Sequence, residues 1–395
     1  MPDPNQIPPL LGMGPVAVIG VGTALAAAIL VPLWQMRKHI GWEILTYFGI
    51  VVPLALAGLI VWELRRGHDN WMGIVYVIGM LLLAFAGMGA FLGVIEFGLL
   101  RILGLFQLGA ISRITYYEAL LQPFTYLVLF GGITTIGLTA RLNFFTYNED
   151  FKMYRDVASS FVFLFTLPVM VFAATKVIDD EIENRTMLTL MSKPVSRTQV
   201  VVGKYLGVLV LIVAAVGVLG IMAGMCSYLR FFDDMGIDYR VGEPAETARL
   251  DLDNYKALLA LYPSLVLTFL QVATLGAISV AVSTRFGLAV NVTVVVMIYI
   301  AASLARYVGN APELPSVVRG TIGVFSYLLP GLSFLDLNQR LVFSNFVLGE
   351  NDWAPNMPTY GLIWKYVGLS AAYSLFYITA ILSFGVALFR SRELS

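Results

Sequence analysis

The chain has 395 residues, 58% of them hydrophobic and only 13% charged, with a formal net charge of zero. Soluble domains carry roughly a quarter charged residues, and a nucleic-acid binder carries a basic excess. Neither class fits, and no nucleic-acid partner is expected.

The apolar residues gather in runs of about twenty or more, the length at which a helix crosses the roughly 30 Å hydrocarbon core. Lipid satisfies no open backbone, and runs this continuous exclude the alternating pattern of a barrel. The fold class is therefore an all-α polytopic membrane protein. Nine spans are expected, at 11–34, 44–62, 72–98, 122–140, 157–177, 199–228, 258–283, 286–306 and 361–389. The first Lys or Arg, Arg37, follows the first run, whereas a secretory signal places basic residues ahead of its hydrophobic core. That run is read as a retained span.

The first three spans form one block. His39 and His68 lie in its loops and are the only histidines, so the H-E-x-x-H of an intramembrane metalloprotease is absent. Glu96 is the one acidic residue well inside an apolar run. It stands near the end of its span with Arg101 close behind, so an interfacial ion pair is preferred over a proton relay. Residues 101–122, diluted by Gln107, Ser112, Arg113 and Glu118, read as a helix lying on the membrane. Pro123 then falls where a first helical residue starts the fourth span.

Between the fifth and sixth spans lies Asp179-Asp-Glu-Ile-Glu-Asn-Arg-Thr-Met-Leu-Thr-Leu-Met-Ser-Lys-Pro-Val-Ser-Arg-Thr-Gln, followed by Gly203-Lys204. Met187, Leu190 and Met191 share one face of a short helix. Pro194 ends that helix at Lys193, and Ser196 with Gln199 forms a capping-box pair that starts the next span. The result is a knob with a Met-rich face, suited to a partner's groove. From periodicity alone the plainer reading is the stronger one: a loop helix covering the ends of its own bundle.

Cys226, the single cysteine, allows neither an internal disulfide nor a thiolate metal site and reads as a small buried hydrophobe. Residues 229–257, with seven acidic and four basic residues, read as a folded polar loop. Gln271 and Asn291 are the notable polar residues of the seventh and eighth spans. Bonding between helices is preferred for both, with substrate contact as the alternative. Residues 321–329, ended by Pro330-Gly331, are too short to span and read as an interfacial or re-entrant helix. Trp353, Trp364 and Tyr366 bracket the last entry into the membrane. Lys and Arg are nearly balanced across it. The compact features, Arg285 in a tight turn together with Lys193, Arg197, Lys204, Arg390 and Arg392, favour a cytoplasmic C-terminus and an external N-terminus.

The 179–204 stretch resembles the signature of the type-2 ABC exporter permeases, the ABC-2 family. In that family an acidic turn, a Thr-led apolar helix, Pro-Val-Ser-Arg and then Gly-Lys join the second and third core spans. The match holds without gaps at Glu181, Glu183, Thr186, Pro194, Val195, Ser196, Arg197, Gly203 and Lys204, and departs at Arg185, where many members have Gly. The resemblance covers residues 101–395, with an elbow-like helix, six core spans and a larger loop between the fifth and sixth. Residues 1–100 are left as a three-span accessory block.

The resemblance implies the permease subunit of an ABC transporter, an exporter in a bacterial inner membrane. Residues 183–192 would be its coupling helix. Glu181, Glu183, Arg185, Thr186, Met187, Leu190, Met191, Pro194 and Arg197 would meet a separate ATPase subunit. ATP and Mg would sit on that subunit; this chain would hold no cofactor, metal or catalytic residue. A second permease chain, identical or not, would complete the transporter. No G-x-x-x-x-G-K-[ST] occurs, and Gly203-Lys204 is followed by Tyr205 at the start of a span, so it is no phosphate loop. The competing class, an ion-coupled secondary transporter or a membrane scaffold, would call for paired mid-membrane charges or matching broken spans, and the sequence has neither.

Overall fold

The computed structural model describes residues 84, 87–104, 107–142, 144, 150–183, 196–241, 244–309, 329–336 and 359–390. The first two expected spans, most of the third, the 184–195 segment and residues 321–328 lie outside the described residues, as does Trp353. The described elements are helical. A π-helical turn, Ile95–Leu99, runs into the short helix Leu100–Leu103. Seven longer helices follow: α1 (Gln107–Leu120), α2 (Pro123–Thr139), α3 (Asp150–Glu183), α4 (Arg197–Val241), α5 (Pro244–Ser283), α6 (Leu288–Gly309) and α7 (Tyr360–Arg390).

Four stretches are long and apolar enough to cross a membrane: Asp150–Val177, Thr198–Phe231, Leu258–Ser283 and Tyr360–Phe389. The pair α1 and α2, bent by 67° at its break, makes a fifth if taken as one span. Pro123 opens α2 as its first residue, after an extended Gln122 with ψ 131°. Its missing N–H falls where a helix has no partner for one. The chain is thus an all-α integral membrane protein.

Two sequence expectations are corrected. The described residues of the expected folded polar loop, 229–241 and 244–257, are helical: α4 continues to Val241, and α5 begins at Pro244. A helix of 45 residues, such as α4, extends about 67 Å at 1.5 Å per residue, about twice the hydrocarbon thickness. Glu96 is not held by Arg101. Its carboxylate accepts a hydrogen bond from the Tyr117 hydroxyl at 3.0 Å, a partner on α1 that local spacing did not reveal.

Between hydrocarbon-embedded helices the hydrophobic effect offers little, so close packing decides the arrangement. Glycines on α4 supply it. A Cβ at Gly220 would stand 2.7 Å from Leu265 of α5, and one at Gly217 would stand 2.0 Å from the Phe91 ring. From α2, a Cβ at Gly132 would meet Leu219 of α4 at 2.9 Å and Phe165 of α3 at 3.0 Å. The shares buried agree: 72% of the most apolar stretch of α4 and of α5, against 28% for α7. Helix α4 is a hub and α7 lies at the periphery.

Near the end of the apolar stretch of α4 remote from the 184–195 segment, Arg230 bonds the Asp150 carboxylate at 2.8 Å and the Ala140 carbonyl at 3.2 Å. One buried guanidinium thereby ties the end of α2 and the start of α3 to α4. Between α6 and α7 the single turn Leu332–Leu335 is pinned to α7. The Gly331 N–H donates to the Tyr373 hydroxyl at 2.8 Å, and the Tyr366 hydroxyl donates to the Phe334 carbonyl at 2.7 Å.

The Phe91 contact yields a test. Gly217→Ala should lower the thermal stability of the detergent-purified chain by about 1–3 kcal/mol, the usual cost of overpacking. Combined with Phe91→Ala the two losses should add to clearly less than their sum, because each change removes what the other disturbs. Strict additivity in melting measurements would show that the ring does not occupy the Gly217 cradle.

Candidate functional site

The 184–195 segment is joined by α3 on one side and α4 on the other. Helix α3 continues without a break through the acidic turn to Glu183, so Glu181 and Glu183 belong to a helix rather than a free loop. Arg185, Thr186, Met187, Leu190, Met191 and Pro194 lie outside the described residues. Arg197 is the first residue of α4.

The start of α4 is fixed by the capping box read from the sequence. The Gln199 N–H donates to Ser196 Oγ at 3.2 Å, and the Ser196 N–H donates to Gln199 Oε1 at 2.9 Å. Two orphan donors of the first turn are thereby satisfied. The entry of α4 into the bundle is set by residues adjoining the segment itself.

Four residues around the next turn fasten α4 to three neighbours. A Cβ at Gly203 would lie 2.9 Å from Ile111, and one at Gly207 would lie 2.6 Å from the Ser112 carbonyl and 2.5 Å from Thr115. Residues 203 and 207 form a small-xxx-small pair, the spacing that lets two backbones meet, and α1 lies on it. Lys204 is only 2% exposed, and its ammonium donates to the Val177 carbonyl of α3 at 2.8 Å. The Tyr205 hydroxyl donates to the Ala273 carbonyl of α5 at 3.1 Å. Sequence reasoning singled out Gly203 as a motif letter and Lys204 as a motif letter and an orientation signal, and assigned no packing role to either or to Tyr205 and Gly207. The GxxxG spacing was the available signal.

The two weak substrate candidates fall differently. Asn291 is fully buried, and its amide donates to Thr175 Oγ1 at 2.6 Å and to Ser279 Oγ at 2.8 Å. It is a bolt joining α6 to α3 and α5. Gln271 lies on α5 at 8% exposure, its backbone carbonyl accepting from Thr274 Oγ1 at 2.8 Å. No hydrogen bond joins the two residues: both amide donors of Asn291 are taken, and its Oδ1 accepts none. Among the described residues no group of three or more His, Cys, Asp and Glu is placed to hold a metal ion. The geometry is one of helix fastening, gathered beside the segment that the sequence marks.

The bolt reading of Asn291 is testable. Asn291→Leu should still insert but melt lower, by about 0.5–2 kcal/mol, as expected when an interhelical hydrogen bond is lost inside a membrane. Unchanged stability in a purified-protein melt would count against the bolt.

Comparison with known families assigns the same region. Residues 132–383 match the family model of ABC-2 family transporter proteins, a stretch running from α2 nearly to the end of α7 and including the segment and the base of α4. No curated protein matches the chain. With more than half of its length within that family model, the chain belongs to the ABC-2 family of transporter proteins.

Proposed function

We propose that this chain is the permease of an ABC exporter whose ATPase is a separate subunit docked on residues 184–195. The observation that carries the reading is the setting of that segment within the family region. It is held between two helices that continue into the packed bundle, and α4, the hub, starts directly after it.

In this reading Met187, Leu190 and Met191 form the apolar face that enters the ATPase groove. Glu181, Glu183, Arg185, Thr186, Pro194 and Arg197 frame it. ATP and Mg belong to the partner. Closure of two ATPase subunits moves the stems of two permease chains and switches the pathway between inward and outward facing. Six core spans follow the elbow α1, with α2 and α6 as the two shortest. The segment and the C-terminus face the cytoplasm of a bacterial inner membrane; the helical extensions between α4 and α5 face outside. Residues 1–100 are an accessory block outside the pathway, tied to the core through contacts such as Phe91 against Gly217.

Topology comes first. A cysteine at Ser192 should resist a membrane-impermeant thiol reagent in intact cells, while one at Asp238 should react. The reverse pattern would overturn the orientation and the docking role together.

Docking comes second. A buried side chain of this type is worth roughly 1.5–3 kcal/mol, and an unpaired charge adds a desolvation cost. Leu190→Asp with Met191→Asp should therefore leave membrane insertion unchanged and abolish retention of the ATPase in a pull-down from detergent. Retention at the native level would reduce the segment to a loop cover. The same pull-down with a chain starting near Leu100 should retain the ATPase if the accessory block is separate.

A further inference from the structure

Lys204 sits where a lysine is costly. Burying an ammonium is unfavourable unless hydrogen bonds replace its water, yet this residue is 2% exposed and donates to a backbone carbonyl 27 positions earlier, at Val177. Those positions enclose the 184–195 segment. Helix α3 runs six residues past Val177 to Glu183, and α4 begins seven residues before Lys204, at Arg197. At 1.5 Å per residue the bond therefore crosses the two stems about 9–11 Å from the helix ends that flank the segment. Its acceptor is main chain, so the bond fixes the α3 backbone itself and not one mobile side chain.

The surroundings make the crossing stiff. Gly203 and Gly207 bring the α1 backbone and side chains against α4 on either side of Lys204 in sequence, and Tyr205 fastens α4 to α5. Splaying of the stems would break the Lys204–Val177 bond, and a shift of α4 by itself would also disturb its contacts with α1 and α5.

We propose that Lys204 is a positioning residue that locks the two stems of the 184–195 segment together, so that a displacement of the segment moves α1, α3 and α4 as one body. This rests on the reading of that segment as the ATPase dock. Lys204 touches neither nucleotide nor substrate; it acts by keeping the stems from flexing independently.

The test uses Lys204→Met, which keeps the length and apolar body of the side chain and removes the charge. Exchange of a buried ion for a well-packed apolar residue is often neutral or stabilising, so the fold should persist with an unchanged or slightly raised melting temperature. The first measurement is hydrogen–deuterium exchange of the backbone amides of residues 178–183 in the purified full chain, with no ATPase present. These should exchange about tenfold faster or more, the scale set by loss of one charge-assisted hydrogen bond. Unchanged exchange overturns the lock, whatever the fate of the docking reading.

The second measurement uses the complex with the co-purified ATPase. A cysteine at Leu142, an exposed position just past the far end of α2, is labelled with and without ATP. The native-lysine protein should show an ATP-dependent labelling rate. The Lys204→Met complex should assemble and hydrolyse ATP but lose that dependence, and Lys204→Arg should restore part of it. A full ATP response in Lys204→Met despite faster exchange at 178–183 overturns the positioning role and leaves only a structural bond. Failure of the native chain to retain any ATPase defeats the docking reading and, with it, the role assigned to the lock, while the exchange measurement still decides whether the lock exists.

Discussion

Helices inside a membrane gain little by hiding apolar surface from one another, because lipid tails are as apolar as leucine. What holds this bundle is close backbone approach, and it is concentrated on α4. Gly203 and Gly207 admit α1, Gly217 admits Phe91, and Gly220 admits Leu265 of α5. A methyl group at any of these positions would require a neighbour to move. The same helix carries the most buried apolar stretch together with α5. The packing of the remaining helices follows from how closely each can reach α4 or α5; Gly385 of α7, for instance, faces Ala281 of α5, where a Cβ would stand 3.0 Å away.

Polar fastening is added at the two ends of that hub. Near its start, Lys204 bonds α3 and Tyr205 bonds α5. Toward the other end, Arg230 bonds both Asp150 and the Ala140 carbonyl, and the Tyr154 hydroxyl of α3 donates to the Ile136 carbonyl of α2 at 3.3 Å. Residues 204 and 230 are 26 positions apart, about 39 Å along a helix, and stand toward the two ends of the apolar stretch Thr198–Phe231, away from its middle, where a charge would be most costly. In between, the hydroxyls of Thr166 and Thr175 donate to carbonyls one turn back in their own helix, at 2.7 and 2.8 Å, which leaves the Thr175 oxygen free to accept from Asn291 across the bundle. Asn291, with Thr175 and Ser279 as acceptors, is the side-chain bolt described on the segment side.

What could be read from the sequence was whatever depends on near neighbours. The capping box needs three residues and a turn, and Ser196 with Gln199 forms it. Pro123 needs only a helix start, and it takes the first position of α2. The apolar runs need only length. The partner of Glu96 is 21 residues away, and the nearer Arg101 drew the inference to itself. The helical continuation of α4 and α5 was hidden for a different reason. Seven acidic residues between 229 and 257 end the apolar pattern, but leaving hydrocarbon removes only the requirement for apolar side chains. The backbone bonds of a helix are as available in water as in lipid, and neither Gly236 nor Pro244 stops it, since Pro244 stands at the first position of α5, where proline is tolerated. For Gln271 and Asn291 the sequence offered two equal polar residues. Only the fold distinguishes them, by placing Thr175 and Ser279 against the second.

The base of α4 also alters how the family signature is understood. Its letters run in one unbroken row, which invites reading all of them as a surface for a partner. The structure divides them. Ser196 is spent on starting a helix, Gly203 on admitting α1, and Lys204 on reaching the α3 backbone. None of these requires a second protein, and each is explained by the interior of this chain. The acidic turn likewise continues α3 to Glu183 and lengthens the stem on which the segment is carried. In the docking reading proposed above, the segment must present a face and be held rigidly to the helices it would move. The second demand falls on packing and hydrogen bonding inside this chain, and the glycines and the buried lysine beside the segment meet it.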